Sequence, residues 1–425
     1  MAAIIFAGEM IFTLPFHVAR FFRPTLLEVF QISNTELGDI FAVYGIIAML
    51  AYFPGGMIAD RFSARKLMAF SLFCTSLGGF YYYTLPSATG LTWLFGYWGL
   101  TSILLFWAAM IKATRECMTA NTQGLGFGLL DGGRGLVASV FASIAVFILA
   151  LFMNEQVVNI EQQKLALQSV ILFYSISTML AAGLIWILLP NTEITIDNKS
   201  TSHGELKSVL SNRGIWLQGG IVVAAYCGYK SIDNYGLYAV QVLGMSALES
   251  AEFTTYASYT RPFAAITAGL LVDRWRVSSM LMTLFTVCII AFLSLAVISA
   301  SQIALQLIMV NLVITFIAVF ALRGIYFALL EESKLKLNKT GTAVGLISLL
   351  GFTPDIFFYA LSGRVLDANP GLIGFQNYFM LIALISIIGL LCSFFLSKHI
   401  KRQEVKLVTY QEQAKSRSLM GNDST

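Results

Sequence analysis

Charge is scarce in this chain. Asp, Glu, Lys and Arg make up 12% of its 425 residues, against about 25% in an ordinary soluble domain, a deficit that excludes a globule folding in water. Histidine occurs three times, at His17, His203 and His399, too scattered to gather a metal. The five cysteines, Cys74, Cys117, Cys227, Cys288 and Cys392, all fall inside apolar segments without paired spacing. That pattern excludes a disulfide framework and a thiolate metal site and leaves small hydrophobes in helices. Neither HExxH nor GxSxG occurs. The glycine run Gly124, Gly126, Gly128, Gly132, Gly133 and Gly135 follows no strand and precedes no Gly-Lys-Ser/Thr, so it reads as a surface for close helix approach and not as a phosphate cradle. No cofactor, no metal, no ATP and no enzymatic activity are expected. Lys and Arg lie in separate short loops and the net charge is only +4, which argues against nucleic acid as a partner.

What the chain has instead is apolar length. Hydrophobic residues supply 57% of it, and hydropathy predicts twelve membrane-spanning helices over about 3–28, 36–59, 67–85, 92–118, 125–153, 166–190, 215–243, 252–272, 278–299, 303–330, 342–366 and 376–397. The first lacks a basic leader and a small-residue cleavage site, so it reads as a span and not as a signal peptide. The one long polar connector, 191–214, separates six spans from six. The expected organisation is an N-terminal six-helix bundle (1–190), a cytoplasmic linker (191–214), a C-terminal six-helix bundle (215–397) and a polar cytoplasmic tail (398–425), solvated and partly disordered. Arg61, Arg65, Lys66, Lys199, Lys207, Arg213, Arg274, Arg276, Lys334, Lys336, Lys339, Lys398, Lys401 and Arg402 fall on one side. Arg23, Lys164 and Arg364 fall on the other, so both termini are expected in the cytoplasm.

A short charged turn organises this pattern: Gly55-Gly56-Met57-Ile58-Ala59-Asp60-Arg61-Phe62-Ser63-Ala64-Arg65-Lys66, between spans 2 and 3. A shorter version, Gly269-Leu270-Leu271-Val272-Asp273-Arg274-Trp275-Arg276, stands 213 residues later by its glycine. A hairpin tip recurring half a chain on indicates duplicated halves. The first tip resembles the loop 2–3 motif of the major facilitator superfamily, departing from it at Ala64, where the family usually carries Arg. Glu36-Leu37-Gly38 leading to Tyr44-Gly45, and Gly341-Thr342-Ala343-Val344-Gly345 with Leu349 and Gly351, resemble the organophosphate/anion transporter branch. The resemblance implies an all-α membrane protein of two six-helix pseudo-symmetric halves, monomeric, in a bacterial inner membrane. It assigns Gly56, Asp60, Arg61, Arg65, Lys66, Asp273 and Arg274 to the cytoplasmic gate.

Ionisable groups deep in a span cost about 2.5–3.5 kcal/mol each even on the lenient insertion scale, so they face a cavity. Seven fixed cations (Arg20, Lys112, Arg115, Arg134, Lys230, Arg261 and Arg323) stand here with five acids (Glu9, Glu116, Asp131, Asp233 and Asp355) and His17. Pairing every acid leaves two positive charges, which favours an anionic substrate. Asp131 and Arg134, three apart on span 5, are placed to pair with each other. Arg115, Glu116 and Arg323, nearer helix ends, read as structural, and Lys112 is left open. By the repeat offset His17 corresponds to Lys230 and Arg20 to Asp233. The anion branch grips its substrate with a basic residue on span 1 and another on span 7, so the resemblance implies Arg20 and Lys230 in those roles, although the family residue on span 7 is usually Arg. The competing reading pairs Arg20 with Asp233 across the halves. Arg261 is a third candidate ligand, with His17, Tyr44 and Tyr229 lining the site. Asp355, in an otherwise apolar stretch, ranks first as a proton carrier unless Arg261 reaches it, and Asp233 is the ion-pair partner of the basic site.

The expected function is secondary transport of a small organic anion, a phosphorylated or carboxylated metabolite, by alternating access and driven by protons or a counter-transported anion. The alternative is a sensor that binds its solute on a transporter fold without moving it.

Overall fold

The structure is a computed structural model that describes residues 1–118, 123–153, 159–191, 211–272, 274–298, 302–326, 329 and 346–422. The described secondary structure is helical throughout, and twelve spans are arranged as two halves of six. Nine helices among the described residues are long and apolar enough to cross a membrane. In lipid only structures that satisfy their own backbone hydrogen bonds can do so. Large apolar side chains such as Trp93, Ile187, Phe263 and Val297 stand more than two-thirds exposed on the outer surface, as a lipid-facing wall requires.

Several spans start where the sequence supplies a cap. Span 2, Asn34–Arg61, begins with a capping box in which the Ser33 hydroxyl accepts from the Glu36 N–H and Glu36 accepts from the Ser33 N–H. Span 6, Ile160–Leu188, repeats the device with Asn159 and Gln162, and the helix opening span 8, Ala247–Ser258, with Ser246 and Glu249. Spans 1, 4 and 7 lose α geometry in their middles. Span 1 passes from Ala2–Phe12 through a π-helical Thr13–His17 into Val18–Phe21. Pro15, which has no N–H to give the ladder, sits inside that segment. Span 4 passes from Ala88–Leu100 through a π-helical Thr101–Trp107 into Ala108–Glu116. Span 7 passes from Arg213–Ser231 through a 3₁₀ turn, Ile232–Asn234, into Tyr235–Gln241. Such breaks recur at functional sites because they re-aim side chains.

The apolar cores largely follow the halves. One cluster is built between Ile215 and Ile400. Two others belong to the first six spans, joined by Ala251 and Tyr359 from the second half. The tightest junction between halves joins span 2 to span 11 (346–368). A Cβ on Gly38 would lie 2.4 Å from the Tyr359 carbonyl oxygen, one on Gly45 2.5 Å from that of Asp355, and one on Gly363 2.3 Å from that of Asn34. Glycine is therefore required at all three places, and the motif glycines Gly38 and Gly45 acquire a physical reason. At the face remote from the basic loops this junction is clasped by polar groups. Asp367 accepts from the Asn34 and Thr35 N–H groups and the Asn34 side chain, and Asp39 pairs with Arg364 at 2.8 Å. No ion pair between two described residues joins the halves at the basic face. The molecule is closed on the side away from the basic loops.

The tail departs from expectation. The last helix, Leu372–Asn422, continues past the predicted end of span 12, so the backbone expected to be disordered after Lys398 is helical; Lys, Gln, Glu and Ala fill it, all good helix formers. Asp273, most of the 191–214 linker and the Gly341–Gly345 stretch lie outside the described residues.

Candidate functional site

The irregular turns of spans 1 and 7 bring ionisable side chains to the middle of the molecule. A cavity of about 70 Å³ lies between the halves there, lined among others by Arg20, Tyr229, Lys230, Arg323 and Asp355, with Trp107 and Phe352 as part of its aromatic wall.

Each buried acid is engaged. Asp233 accepts from Arg20 Nε and, at its other oxygen, from the Tyr359 hydroxyl. Arg20 also donates from Nη1 to the Tyr229 hydroxyl at 2.8 Å. Asp355 lies 2.8 Å from Lys230 Nζ and accepts from the Tyr226 hydroxyl at 3.1–3.2 Å. Glu9 is a hub: His17 Nε2 and Arg134 Nε each stand 3.0 Å from one of its oxygens, and Arg261 Nη1 stands 3.7 Å away. Arg261 turns its Nη2 to Asp131 at 3.3 Å. Three of these pairs, Arg20–Asp233, Arg261–Glu9 and Arg261–Asp131, cross between the halves, so the centre of the molecule is tied by charge as the outer face is tied by glycine.

Several expectations change. Asp131 and Arg134 share a helical face but do not pair; the buried Glu9 takes Arg134, and Arg261 takes Asp131. Arg261 does not reach Asp355, because those two carboxylates hold it on the span 5 side. The premise that left Asp355 as a carboxylate without a cation fails, since Lys230 occupies it. Arg20 and Lys230, both expected to face an anion, each hold a carboxylate, and the cross-half pair Arg20–Asp233 joins residues 213 apart, the repeat offset itself. His17 lines the cavity and sits with Glu9, and the Lys230 ammonium stands 3.9 Å over the Phe16 ring. Tyr44 lines the cavity and shares a 2.8 Å hydrogen bond with Ser102. Tyr229 stacks on Tyr226 at 5.9 Å.

Other groups find plainer places. Lys112 donates to the Ala59 carbonyl at 2.9 Å, satisfying an end carbonyl of span 2. Arg115 and Glu116 are exposed at the end of span 4. Glu9, Tyr226, Tyr359 and Arg323 join the site although no local motif marks them; the signal was an ionisable residue inside an apolar span for Glu9 and Arg323, an aromatic on a span expected to line the cavity for Tyr226, and nothing for Tyr359.

A family model of the major facilitator superfamily matches residues 5–359. The chain belongs to the major facilitator superfamily. Among similar proteins, the inner membrane protein YihN of Escherichia coli (strain K12) is 26% identical over 416 residues, covering 94% of this chain and 95% of the relative. The protein named "Probable galactarate/D-glucarate transporter GudP" of Bacillus subtilis (strain 168) is 22% identical over 274 residues, 57% of each chain. Among solved structures, a bacterial homolog of the human lysosomal transporter Spinster, in an inward-facing and occupied conformation, superposes with a TM-score of 0.72 at 15% identity, covering 93% of this chain and 94% of that one. The chain is a multi-pass protein of the bacterial inner-membrane type.

The superfamily's charged turn stands apart from this site. Asp60, Arg61 and Lys66 are exposed, as is Arg274; a Cβ on Gly56 would meet nothing within 4 Å; and Arg65 lies 5.2 Å over the Trp186 ring. None of the ion pairs between described residues uses Asp60. As the clasp of the basic face that the resemblance implies, this turn would act in a state other than this one. Asp60→Asn is therefore expected to cut transport strongly while leaving ligand-induced thermal shifts of the purified protein intact; equal losses of binding and transport would contradict this separation.

Proposed function

We propose that this chain is a secondary transporter that carries a small organic anion through the bacterial inner membrane by alternating access, with both termini in the cytoplasm. The observation that carries this reading is the charge of the central site. Five fixed cations (Arg20, Arg134, Lys230, Arg261 and Arg323) are gathered there with four acids (Glu9, Asp131, Asp233 and Asp355) and the ring of His17. Excess positive charge in a site removed from water calls for an anion to balance it. The relative named for galactarate and D-glucarate transport, whose named substrates are organic acids, supports the same substrate class.

The arrangement also suggests how the halves rock. Arg20–Asp233 and the Glu9 hub bridge them at mid-depth, and the glycine junction with its Asp367 clasp holds one face shut. Opening that face requires spans 2 and 11 to part and the clasp to release, while the charged turn of Asp60 and Arg61 closes the other. No ATP-binding motif is present in the sequence, so a gradient of ion or solute supplies the work. Exchange against a second anion needs no titrating carrier and fits a site whose carboxylates are all occupied by cations.

A thermal-shift panel on the purified protein tests the substrate class, because a ligand that binds only the folded state stabilises it by mass action. Organic acids are expected to raise the melting temperature and their neutral analogues are not. Stabilisation by neutral sugars or nucleosides, with no response to acids, would overturn the reading.

A further inference from the structure

Among the described residues, one cation in the cavity is in no ion pair. Arg323 lies near the end of span 10, Gln302–Ile325, and its guanidinium centre stands 3.9 Å over the Tyr229 ring. Its Nη1 is buried without a hydrogen-bond partner, and none of the ion pairs between described residues reaches it. Every other fixed cation of the site is engaged: Arg20 by Asp233, Lys230 by Asp355, Arg134 by Glu9, and Arg261 by Glu9 and Asp131. The Tyr229 ring on which Arg323 lies is itself held, because its hydroxyl accepts from Arg20 and its face stacks on Tyr226.

We infer that Arg323 is the residue that grips the anion, and that the site selects a substrate bearing a single negative charge. This rests on the anion reading above and gives it a ligand and a charge number. An anion arriving at Arg20 or Lys230 must first displace a buried carboxylate and leave that carboxylate without its cation. An anion arriving at Arg323 displaces nothing and supplies an acceptor to a donor that has none. The planar guanidinium offers two parallel donors matched to a carboxylate. Arg23, also buried, donates to Asn34 and is not among the residues that line the cavity; the five fixed cations and four acids of the site leave room for one negative charge, and a second would enter the low-dielectric cavity uncompensated. The rigid aromatic platform beneath the guanidinium fixes its plane, and Trp107 and Phe352 supply apolar wall for the uncharged body of the substrate.

The test uses the purified full-length protein with gluconate, glucarate and glucose, six-carbon probes carrying one carboxylate, two and none, within a wider panel of monoacids, diacids and neutral analogues. The monoacid is expected to bind at least about ten-fold more tightly than its diacid or neutral counterpart, a factor the binding isotherms resolve readily. Arg323→Gln is expected to lose that affinity by a similar factor and Arg323→Lys to keep part of it, with unchanged melting temperatures without ligand. Monoacid binding that survives Arg323→Gln unchanged would overturn the role of Arg323 and leave the anion reading standing. Tighter binding of diacids by the wild type would overturn the charge count. Neutral analogues binding as well as acids, or no acid in the panel binding, would overturn the anion reading and this inference together.

Discussion

Asp233→Ala is expected to be the most damaging single substitution in the molecule, and exchanging the two partners, Arg20→Asp with Asp233→Arg, is expected to undo most of the damage. Removing one member of a buried ion pair leaves the other charged and unpaired, at about 3–5 kcal/mol. Here the survivor would be Arg20, which is buried at 7% exposure and, among the described residues, keeps only the Tyr229 hydroxyl as a hydrogen-bond acceptor. The exchange has unusual prospects because positions 20 and 233 are separated by the repeat offset of 213. They occupy corresponding places on spans 1 and 7, so swapping the side chains moves each charge to its counterpart position. Melting temperature and monodispersity in detergent check the expectation. Asp233→Ala should lower both, Arg20→Ala with Asp233→Ala should lie between it and the wild type, and the exchanged pair should approach the wild type. A single Asp233→Ala protein as stable as the wild type would show that the pair contributes nothing.

Gly45→Leu is expected to abolish transport by a different route, with little loss of the fold. Its Cβ would meet the carbonyl carbon and oxygen of Asp355 at 2.5 Å, and backbone cannot move aside as a flexible side chain can. Overpacking a fitted junction costs about 1–3 kcal/mol. That cost falls only on the state in which spans 2 and 11 touch, so the equilibrium shifts toward the state open at that face by a factor of about 5 to 150. Paired cysteines replacing the exposed ion pair Asp39 and Arg364, which ties spans 2 and 11 in the closed state, and bridged by a short bifunctional thiol reagent, report the shift. Their cross-linking should fall sharply in Gly45→Leu while the protein remains monodisperse. Undiminished cross-linking together with normal transport would remove the glycine junction from the cycle.

The fold was legible because a membrane imposes its requirement on length and composition, which a sequence displays directly. Twelve apolar stretches, one polar connector and a repeated charged turn define two halves without any knowledge of side-chain direction. The motif glycines Gly38 and Gly45 were also visible, although their reason, backbone contact with Tyr359 and Asp355, was not. The site was legible as a list of charges and not as a set of partners. Which carboxylate meets which cation depends on helix rotation, and the π-helical Thr13–His17 and the 3₁₀ turn Ile232–Asn234 change that rotation at the residues in question. His17 and Arg20 line the cavity as expected, but which carboxylate each meets could not be read from their spacing. The preference for pairing Asp131 with Arg134 failed for a related reason. A spacing of three places two groups on one face, but Glu9, from another span and 125 positions away, competes for the arginine. Arg323 read as structural because its span position is near a membrane face. The length of an arginine side chain brings its guanidinium to Tyr229 all the same.

Uptake into proteoliposomes is the most direct test of the central claim. Vesicles containing the purified protein and loaded with an unlabelled organic acid should accumulate the labelled acid from outside, without ATP, at rates that fall to the protein-free level in Asp60→Asn and Gly45→Leu. Binding of the acid with no exchange under any loading or imposed pH gradient, in protein that is folded and correctly inserted, would contradict transport and make the chain a receptor on a transporter fold.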